Sequence, residues 1–182
     1  MEHTGAAYIF INFEQAVQLG HIGWGFHLDE DRYFFGSTDH LWNLAYPMWH
    51  PAELYRYMDV QPTKNNDYWS SIGSEQEMLQ VMHSGPHVRY HAYKRIPVTE
   101  PQTDAAVKFA EGMKDRGWNV VQNNCVHQSY AILTKYGGAI LPDAHTALNR
   151  IPRHWFKQIP GESVTIETRL GNVESVAQLR TG

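Results

Sequence analysis

Apolar and aromatic runs in the first part of the chain predict three β-strands. Residues 7–13 are almost entirely apolar and rich in aromatic and β-branched side chains, which favour strands. Residues 20–28 and 32–37 form two further runs of this kind, and the acidic residues 29–31 between them predict a hairpin turn. Gly23 and Gly25 lie within the second run, where we expect them to let another chain segment pack closely against the strand.

Helical and extended patterns alternate in the rest of the chain. Ser74 and Glu77 form a capping box, which predicts a helix that ends at about residue 83. Residues 65–67 and 70–74 are polar and resemble loops. The other predicted elements are a strand at 88–98, a helix at 103–116 that ends at Gly117, a helix at 125–136 and an edge strand at 163–170.

This order of elements favours an α+β fold in one domain spanning residues 1–182. An aromatic-rich segment at about 38–87 stands apart as an insertion. Its tryptophans and tyrosines are expected to form either an extra layer of core or the wall of a substrate groove.

Composition narrows the possible functions. The 182 residues carry a formal net charge of −4, so the chain lacks the basic surplus typical of nucleic-acid-binding proteins. No apolar stretch approaches the roughly 20 residues needed to span a bilayer, and we expect no membrane partner. The first residues do not resemble an export signal, and a single cysteine excludes an intramolecular disulfide. These features favour a cytoplasmic location.

Cys125, the only cysteine, is the leading candidate for a nucleophile. It follows the polar pair Asn123 and Asn124 and opens the predicted helix at 125–136. The unpaired N–H groups at a helix N-terminus favour a thiolate, which is the nucleophilic form of cysteine. His21, at the start of a predicted strand, is the candidate general base. The alternative interpretation is a small buried cysteine and a histidine that only satisfies a backbone carbonyl.

Three blocks of the sequence carry a resemblance to a known superfamily. They are His21-Ile22-Gly23, Tyr33-Phe34-Phe35-Gly36 and Asn123-Asn124-Cys125-Val126-His127. In this order the blocks resemble the circularly permuted papain-like cysteine hydrolases, which have an NlpC-type fold. The PPPDE isopeptidase group and the lecithin retinol acyltransferase-like group are the two branches that come close. The chain departs from their patterns at Ser37 and at Gln128, where a glycine and an aromatic residue are common.

The resemblance implies an antiparallel sheet packed against the nucleophile helix, with His21 beside the N-terminus of that helix. A third polar residue should then hold the imidazole. Ser37 is the first choice from its position in the hairpin, with Asp39 and His40 as alternatives. Asn124 and Trp24 are the candidate oxyanion or substrate-binding residues.

The eleven histidines raise the possibility of a metal site. His83, His87 and His91 are spaced by four, but Gly85 and Pro86 interrupt any helix that could align them. The sequence contains neither a pair of cysteines nor an HExxH motif, so we expect no metal and no cofactor. His127 lies two residues beyond Cys125 on the predicted helix and is expected to point away from it.

The sequence therefore predicts a cysteine hydrolase that cleaves an amide, peptide or isopeptide bond through a Cys–His pair and a thioester intermediate. Its expected partner is a peptide or protein substrate, and the sequence does not determine the oligomeric state. Two alternatives remain open: an inactive papain-like binding module, and a thiol acyltransferase or esterase. The lack of a C-terminal apolar helix favours peptide-type bonds over lipids.

Overall fold

An open antiparallel sheet forms the framework of the protein in the computed structural model, which describes residues 4–16, 18–39, 61–84, 89–137 and 140–171. In these ranges six strands pair in the order β4-β3-β2-β1-β5-β6. The strands are β1 (Thr4–Asn12), β2 (His21–Asp29), β3 (Arg32–Thr38), β4 (Tyr68–Gly73), β5 (Ala92–Thr99) and β6 (Val164–Thr165). The predicted α+β class is confirmed, as is the β2–β3 hairpin.

The central strands bury both faces of the sheet. Alternate side chains of β1 point to opposite faces, so that Ile9 and Ile11 join one core cluster while Tyr8 and Phe10 join another. A strand that is buried on both faces has a continuous apolar sequence, which explains the apolar run at 7–11.

Four helices with both ends in the described residues cover the two faces. Helix α1 (Glu75–Ser84) packs on one face through Met78, Leu79 and Met82. Helices α2 (Thr103–Glu111), α3 (Cys125–Gly137) and α4 (Pro152–Gln158) contribute to the other core cluster. The predicted capping box of α1 is present, since Ser74 Oγ accepts from the Glu77 N–H and the Glu77 carboxylate accepts from the Ser74 N–H.

The loop that leads to α3 is shaped by a tight turn after α2. A 3₁₀ turn (Gly112–Asp115) follows α2, and Gly117 adopts a φ of +65°. A Cβ atom at Gly117 would lie 2.0 Å from the backbone oxygen of Gln61. Only glycine meets both conditions at this position. The chain then pairs with Gln61 through Trp118 and turns into Cys125.

Two sequence predictions are wrong in the described residues. Residues 70–73 form part of β4, because Tyr68 and Trp69 favour a strand and an edge strand tolerates exposed serines. The segment at 163–170 pairs with β5 only through Val164 and Thr165, and a helix begins at residue 166. Ile166 and Leu170 are four residues apart and pack on the same core cluster, so the helical period prevails over the alternation.

The aromatic-rich segment at 38–87 is not wholly separate from this sheet. Its last part supplies β4, which pairs with β3, and α1. Residues 40–60 and 85–88, which include His40 and His87, lie outside the described residues. Among the described helices, none combines the length and the apolar character that a membrane crossing requires.

Candidate active site

Cys125 is the first residue of α3, and Asn124 caps the helix. The Asn124 Oδ1 atom accepts hydrogen bonds from the N–H groups of Val126 (3.0 Å) and His127 (3.2 Å). An asparagine at this position satisfies N–H groups that have no partner inside the helix. Cys125 is buried, with 7 % of its surface exposed, and it is among the residues that line a cavity.

His21 is the first residue of β2, opposite Asn12 of β1. Its side chain is buried, and its ring packs against the ring of Tyr90 with 5.9 Å between centroids. Gly23 makes this packing possible, because a Cβ there would lie 2.9 Å from the Tyr90 ring. The expectation that this glycine admits a neighbouring segment is confirmed.

Two polar side chains contact the same nitrogen of His21. The Nε2 atom lies 3.1 Å from the Ser37 Oγ atom and 3.2 Å from the Asp39 Oδ1 atom. The Cys125 side chain is also within hydrogen-bonding reach of the ring. Since Nε2 faces Ser37 and Asp39, Nδ1 is the nitrogen that remains for the thiol. The structure thus brings together Cys125, His21, Ser37 and Asp39.

Asp39 is held firmly, although it lies just beyond the end of β3. Its N–H donates to the Asp67 carbonyl at 3.0 Å, and its Oδ2 atom accepts from the Trp69 indole N–H at 2.6 Å. The Tyr90 hydroxyl lies 3.2 Å from Oδ1. These contacts aim Oδ1 at His21.

The protons around Ser37 can also be traced. The Tyr90 hydroxyl donates to the Ser37 Oγ atom at 2.6 Å, and Ser37 in turn donates to the Ile22 carbonyl at 3.3 Å. Burial is the main cause that raises the pKa of Tyr90 well above 10, so this hydroxyl remains a donor. Ser37 therefore offers His21 a neutral oxygen, whereas Asp39 offers it a carboxylate.

The electrostatics of the site favour a charged imidazole. Burial by itself lowers the pKa of His21, but the negative charge of Cys125 and the hydrogen bond to Asp39 outweigh it. The pKa of His21 rises to about 10 as a result. Protonated His21 is thus favoured by its two acidic neighbours, Cys125 and Asp39.

A cavity of about 170 Å³ opens beside Cys125 and His21. Its walls come from three loops, which precede β2, α3 and α4, and are lined mainly by apolar residues: Ala16, Leu19, Trp118, Val120, Ile151 and Pro152. The loop before β2 has positive φ angles at Ala16 (51°) and Gln18 (67°), a conformation that costs energy outside glycine. The Arg153 N–H and guanidinium hold this loop by donating to the carbonyls of Leu19 and Gln18.

The backbone N–H group of Cys125 lies in the first turn of α3, and Cys125 is one of the residues that line the cavity. Within the described residues, its N–H has no hydrogen-bond partner. An unpaired N–H at a helix N-terminus is the kind of donor that stabilises an oxyanion.

A second polar network joins α3 to the end of β3. The Gln128 Oε1 atom accepts from the Thr38 hydroxyl at 2.6 Å and from the Asn65 amide at 3.1 Å. Its Nε2 group lies 3.3 Å from the carbonyl oxygens of Gly117 and Asn123. Gln128 therefore fixes the distance between the strand that leads to Asp39 and the turn that leads to Cys125.

His127 has the structural position that its spacing from Cys125 predicts. Its Nδ1 atom lies 2.8 Å from the Asn124 Oδ1 atom, and its ring is 5.1 Å from that of His145. Burial and the nearby His145 and Arg150 lower the pKa of His127 to about 4. A neutral histidine that caps its own helix does not serve as the base for Cys125.

The two predicted binding residues lie in different surroundings. Asn124 lines the cavity, but its Nδ2 group donates to the carbonyls of Val120 (3.1 Å) and Arg150 (3.0 Å). Trp24 is only 2 % exposed and packs on Phe26 and Phe34, away from the residues that line the cavity. The position of Trp24 gives no support to a role in substrate binding. The hydrogen bonds of Asn124 to backbone carbonyls indicate that it positions the loops around Cys125.

Sequence reasoning missed Tyr90 and Trp69. Nothing near either residue in the sequence indicates a contact with Asp39, since the order of the strands in the sheet brings them together.

Among the described residues, no group of three or more His, Cys, Asp or Glu side chains could hold a metal ion. His83 and His91 instead bond to the backbone of Tyr90 and Phe13.

Comparison of the chain with protein-family models, with curated proteins and with solved structures finds no match. The superfamily resemblance therefore stays a prediction, and the chemistry of the site has to be argued from its own geometry.

Proposed function

We propose that the protein is a cysteine hydrolase that cleaves an amide, peptide or isopeptide bond. The observation that carries this proposal is the buried His21 ring, which hydrogen-bonds to Asp39 and interacts with Cys125, beside a cavity that both His21 and Cys125 line. This arrangement has the three parts that an activated thiol requires: a nucleophile, a base and a residue that orients the base. The permuted papain-like resemblance agrees with the proposal.

The first half of the reaction forms a thioester. The thiol proton resides on His21 Nδ1 in the resting pair, and the Cys125 thiolate attacks the carbonyl carbon of the substrate. The carbonyl π electrons move onto the oxygen, and the N–H of Cys125 donates to this oxyanion. The Nε2–H of His21 donates to Asp39 throughout, which holds the ring in the tautomer that leaves Nδ1 free.

The raised pKa of His21 suits an amine leaving group. The charge of Cys125 is the main interaction that raises the pKa of His21. When the sulfur bonds to carbon, that negative charge leaves the sulfur, and His21 releases its proton more readily. The proton reaches the departing nitrogen as the C–N bond breaks. Water, deprotonated by His21, then attacks the thioester carbonyl. The C–S bond breaks, the acyl group leaves as a carboxylic acid, and the sulfur leaves as the thiolate beside protonated His21.

The proposal is tested by the alkylation of Cys125 with iodoacetamide between pH 5 and pH 9. We expect fast alkylation at pH 6, slowed about tenfold or more in His21→Ala, because the variant lacks the cation that stabilises the thiolate. His27→Ala is the matched control: it removes a histidine from the far end of the same strand. Alkylation at pH 6 that is slow and indifferent to His21 would overturn the proposal and leave a binding module.

A substrate screen follows from the same variants. Incubation with a peptide mixture should trap an acyl-enzyme on Cys125, visible by mass spectrometry of the intact protein. The Cys125→Ala variant should gain no such mass and release no product. A wild-type protein that neither acquires an acyl group nor cleaves any peptide argues against hydrolysis of peptide-type bonds.

A further inference from the structure

Arg150 lines the cavity that Cys125 and His21 share. Its carbonyl oxygen accepts a hydrogen bond of 3.0 Å from the side chain of Asn124, the residue that precedes the nucleophile. The backbone of Arg150 is therefore fixed relative to Cys125. The side chain is half-buried, so that part of the guanidinium is shielded from water.

The guanidinium of Arg150 has no counter-ion among the described residues. In the described part of the chain, no carboxylate lies within ion-pair distance of it. Its Nη2 group makes one long hydrogen bond of 3.4 Å to the His145 carbonyl, and its Nε atom is inaccessible to solvent and has no partner. An arginine is always charged, and a buried donor without a partner is costly. An anion in the cavity that reaches the terminal guanidinium nitrogens would supply the missing counter-ion.

Among the described residues that line the cavity, two can carry a positive charge, and His21 is already paired with Asp39, which leaves Arg150 for an anionic group. No aspartate or glutamate is among the residues that line it, and most of the wall is apolar. The volume of about 170 Å³ suits a group of about benzene size, because a protein cavity of about 150 Å³ can bind benzene. A short carbon chain that ends in a carboxylate fits both the size and the chemistry of this space.

We propose that this cavity binds the acyl portion of the substrate and that Arg150 recognises a carboxylate on it. This inference rests on the proposed cysteine hydrolase activity. The substrate class is then an amide or peptide whose acyl group carries a carboxylate a few carbons from the scissile carbonyl. Arg150 determines specificity, since its terminal N–H groups pair with the carboxylate and take no part in proton transfer.

The test compares two reagents that alkylate Cys125 and differ mainly in charge. Iodoacetate carries a carboxylate and iodoacetamide a neutral amide, and in each case the sulfur displaces iodide. We expect the ratio of the iodoacetate rate to the iodoacetamide rate to fall about three- to tenfold in Arg150→Gln, as expected when one nearby cation is removed. Arg150→Lys, which keeps the charge, should keep most of the preference.

Arg32→Gln is the control for total charge, because Arg32 lies at the hairpin turn, at the other end of β2 from His21. It should leave the ratio unchanged. Raising the salt concentration should lower the ratio more in the wild-type protein than in Arg150→Gln. The comparison of salt effects remains valid for a glutamine variant of lower stability, and circular dichroism checks that this variant is folded.

The outcomes separate this inference from the function on which it rests. An unchanged ratio in Arg150→Gln, with fast His21-dependent alkylation by both reagents, would overturn the role of Arg150 and leave the hydrolase proposal intact. Slow alkylation whose rate is the same in the wild-type protein and in His21→Ala would overturn the hydrolase proposal itself. A hydrolysis assay adds a second arm: p-nitrophenyl hemisuccinate should be preferred over p-nitrophenyl 4-methylpentanoate, and Arg150→Gln should abolish the preference.

Discussion

The Oδ1 atom of Asp39 lies 3.2 Å from the Nε2 atom of His21, and both side chains are buried. A buried carboxylate is costly unless it is paired, and here the Trp69 indole N–H supplies a further donor. The Ser37 hydroxyl is equally close to the ring at 3.1 Å but is neutral. Distance alone does not separate the two, so charge decides which residue supports the imidazolium.

We therefore expect Asp39→Asn to impair the site more than Ser37→Ala. The asparagine keeps the shape but removes the charge that stabilises protonated His21, and alkylation of Cys125 at pH 6 should slow about tenfold. The alanine variant removes a neutral acceptor and should slow it about threefold at most. Rates for both variants, measured with iodoacetamide, provide the comparison.

The reverse order, with Ser37→Ala slower than Asp39→Asn, would make Ser37 the third residue. Ser37 is the first choice from the sequence, and its place in the hairpin makes that choice reasonable. Ser37 lies near the end of β3 and Asp39 just beyond it, and both side chains contact the same nitrogen of His21. Sequence position cannot distinguish them.

The local parts of the site could be predicted from the sequence. Cys125 and Asn124 are adjacent in the chain, and the apolar run after them predicts the helix that they open. His21 lies at the start of a strand whose hairpin is encoded by the acidic turn. Such features depend on residues within one or two turns of each other, which is why the pattern of the chain shows them.

The parts that depend on strand order could not be predicted. Trp69 reaches Asp39 only because β4 pairs with β3, and its strand contains serines that resemble a loop. Tyr90 reaches Ser37 across 53 residues of sequence. Helix α4 is also absent from the sequence prediction, although Pro152 at its first turn is a favourable start. Contacts of this kind depend on how distant segments of the chain pack together, and a short stretch of sequence does not determine that packing.

The charge of Cys125 should be measurable through His21. The pKa of His21 is raised to about 10 despite its burial, with the charge of Cys125 as the main raising interaction. The ring should therefore stay protonated at pH 8 in the wild-type protein. In Cys125→Ala that interaction is lost, burial opposes the charged form, and the ring should lose its proton at a lower pH.

Nuclear magnetic resonance of ¹³C-labelled histidine provides the measurement, with the His21 signal assigned from the His21→Gln spectrum. His127→Asn is the control, because His127 does not contact the thiol and its removal should not move the His21 titration. A His21 ring that titrates at the same pH with and without Cys125 would show that the two side chains do not interact.

Asn124 should be needed for both the helix start and the cavity wall. Its Oδ1 atom caps α3, while its Nδ2 group bonds to the carbonyls of Val120 and Arg150. Asn124→Ala loses both sets of contacts and should cost about 1–3 kcal/mol in the free energy of unfolding. Asn124→Asp keeps the cap but loses the two donors, so it should cost less in stability than the alanine variant.

Urea unfolding gives these free energies, and alkylation of Cys125 provides the functional comparison. Because the aspartate variant frees the Arg150 carbonyl, its alkylation should slow even where its stability is close to that of the wild type. If Asn124→Asp alkylates normally at every pH, the two donor contacts have no part in positioning the nucleophile.

His127 should make the fold sensitive to mild acid. Its pKa is lowered to about 4, mainly by burial, against about 6.5 in an unfolded chain. Between these values the unfolded state binds more protons than the folded state, so stability falls as the pH drops from 6.5 toward 4. We expect this to remove about 1–2 kcal/mol of unfolding free energy by pH 4.5, allowing for solvent screening. His127→Asn keeps a donor for Asn124 but cannot titrate, and urea unfolding at pH 7 and pH 4.5 should show a smaller loss in this variant. An equal loss in both proteins would assign the acid sensitivity to other groups and would mean that the imidazole of His127 is protonated in the folded state as easily as in the unfolded chain.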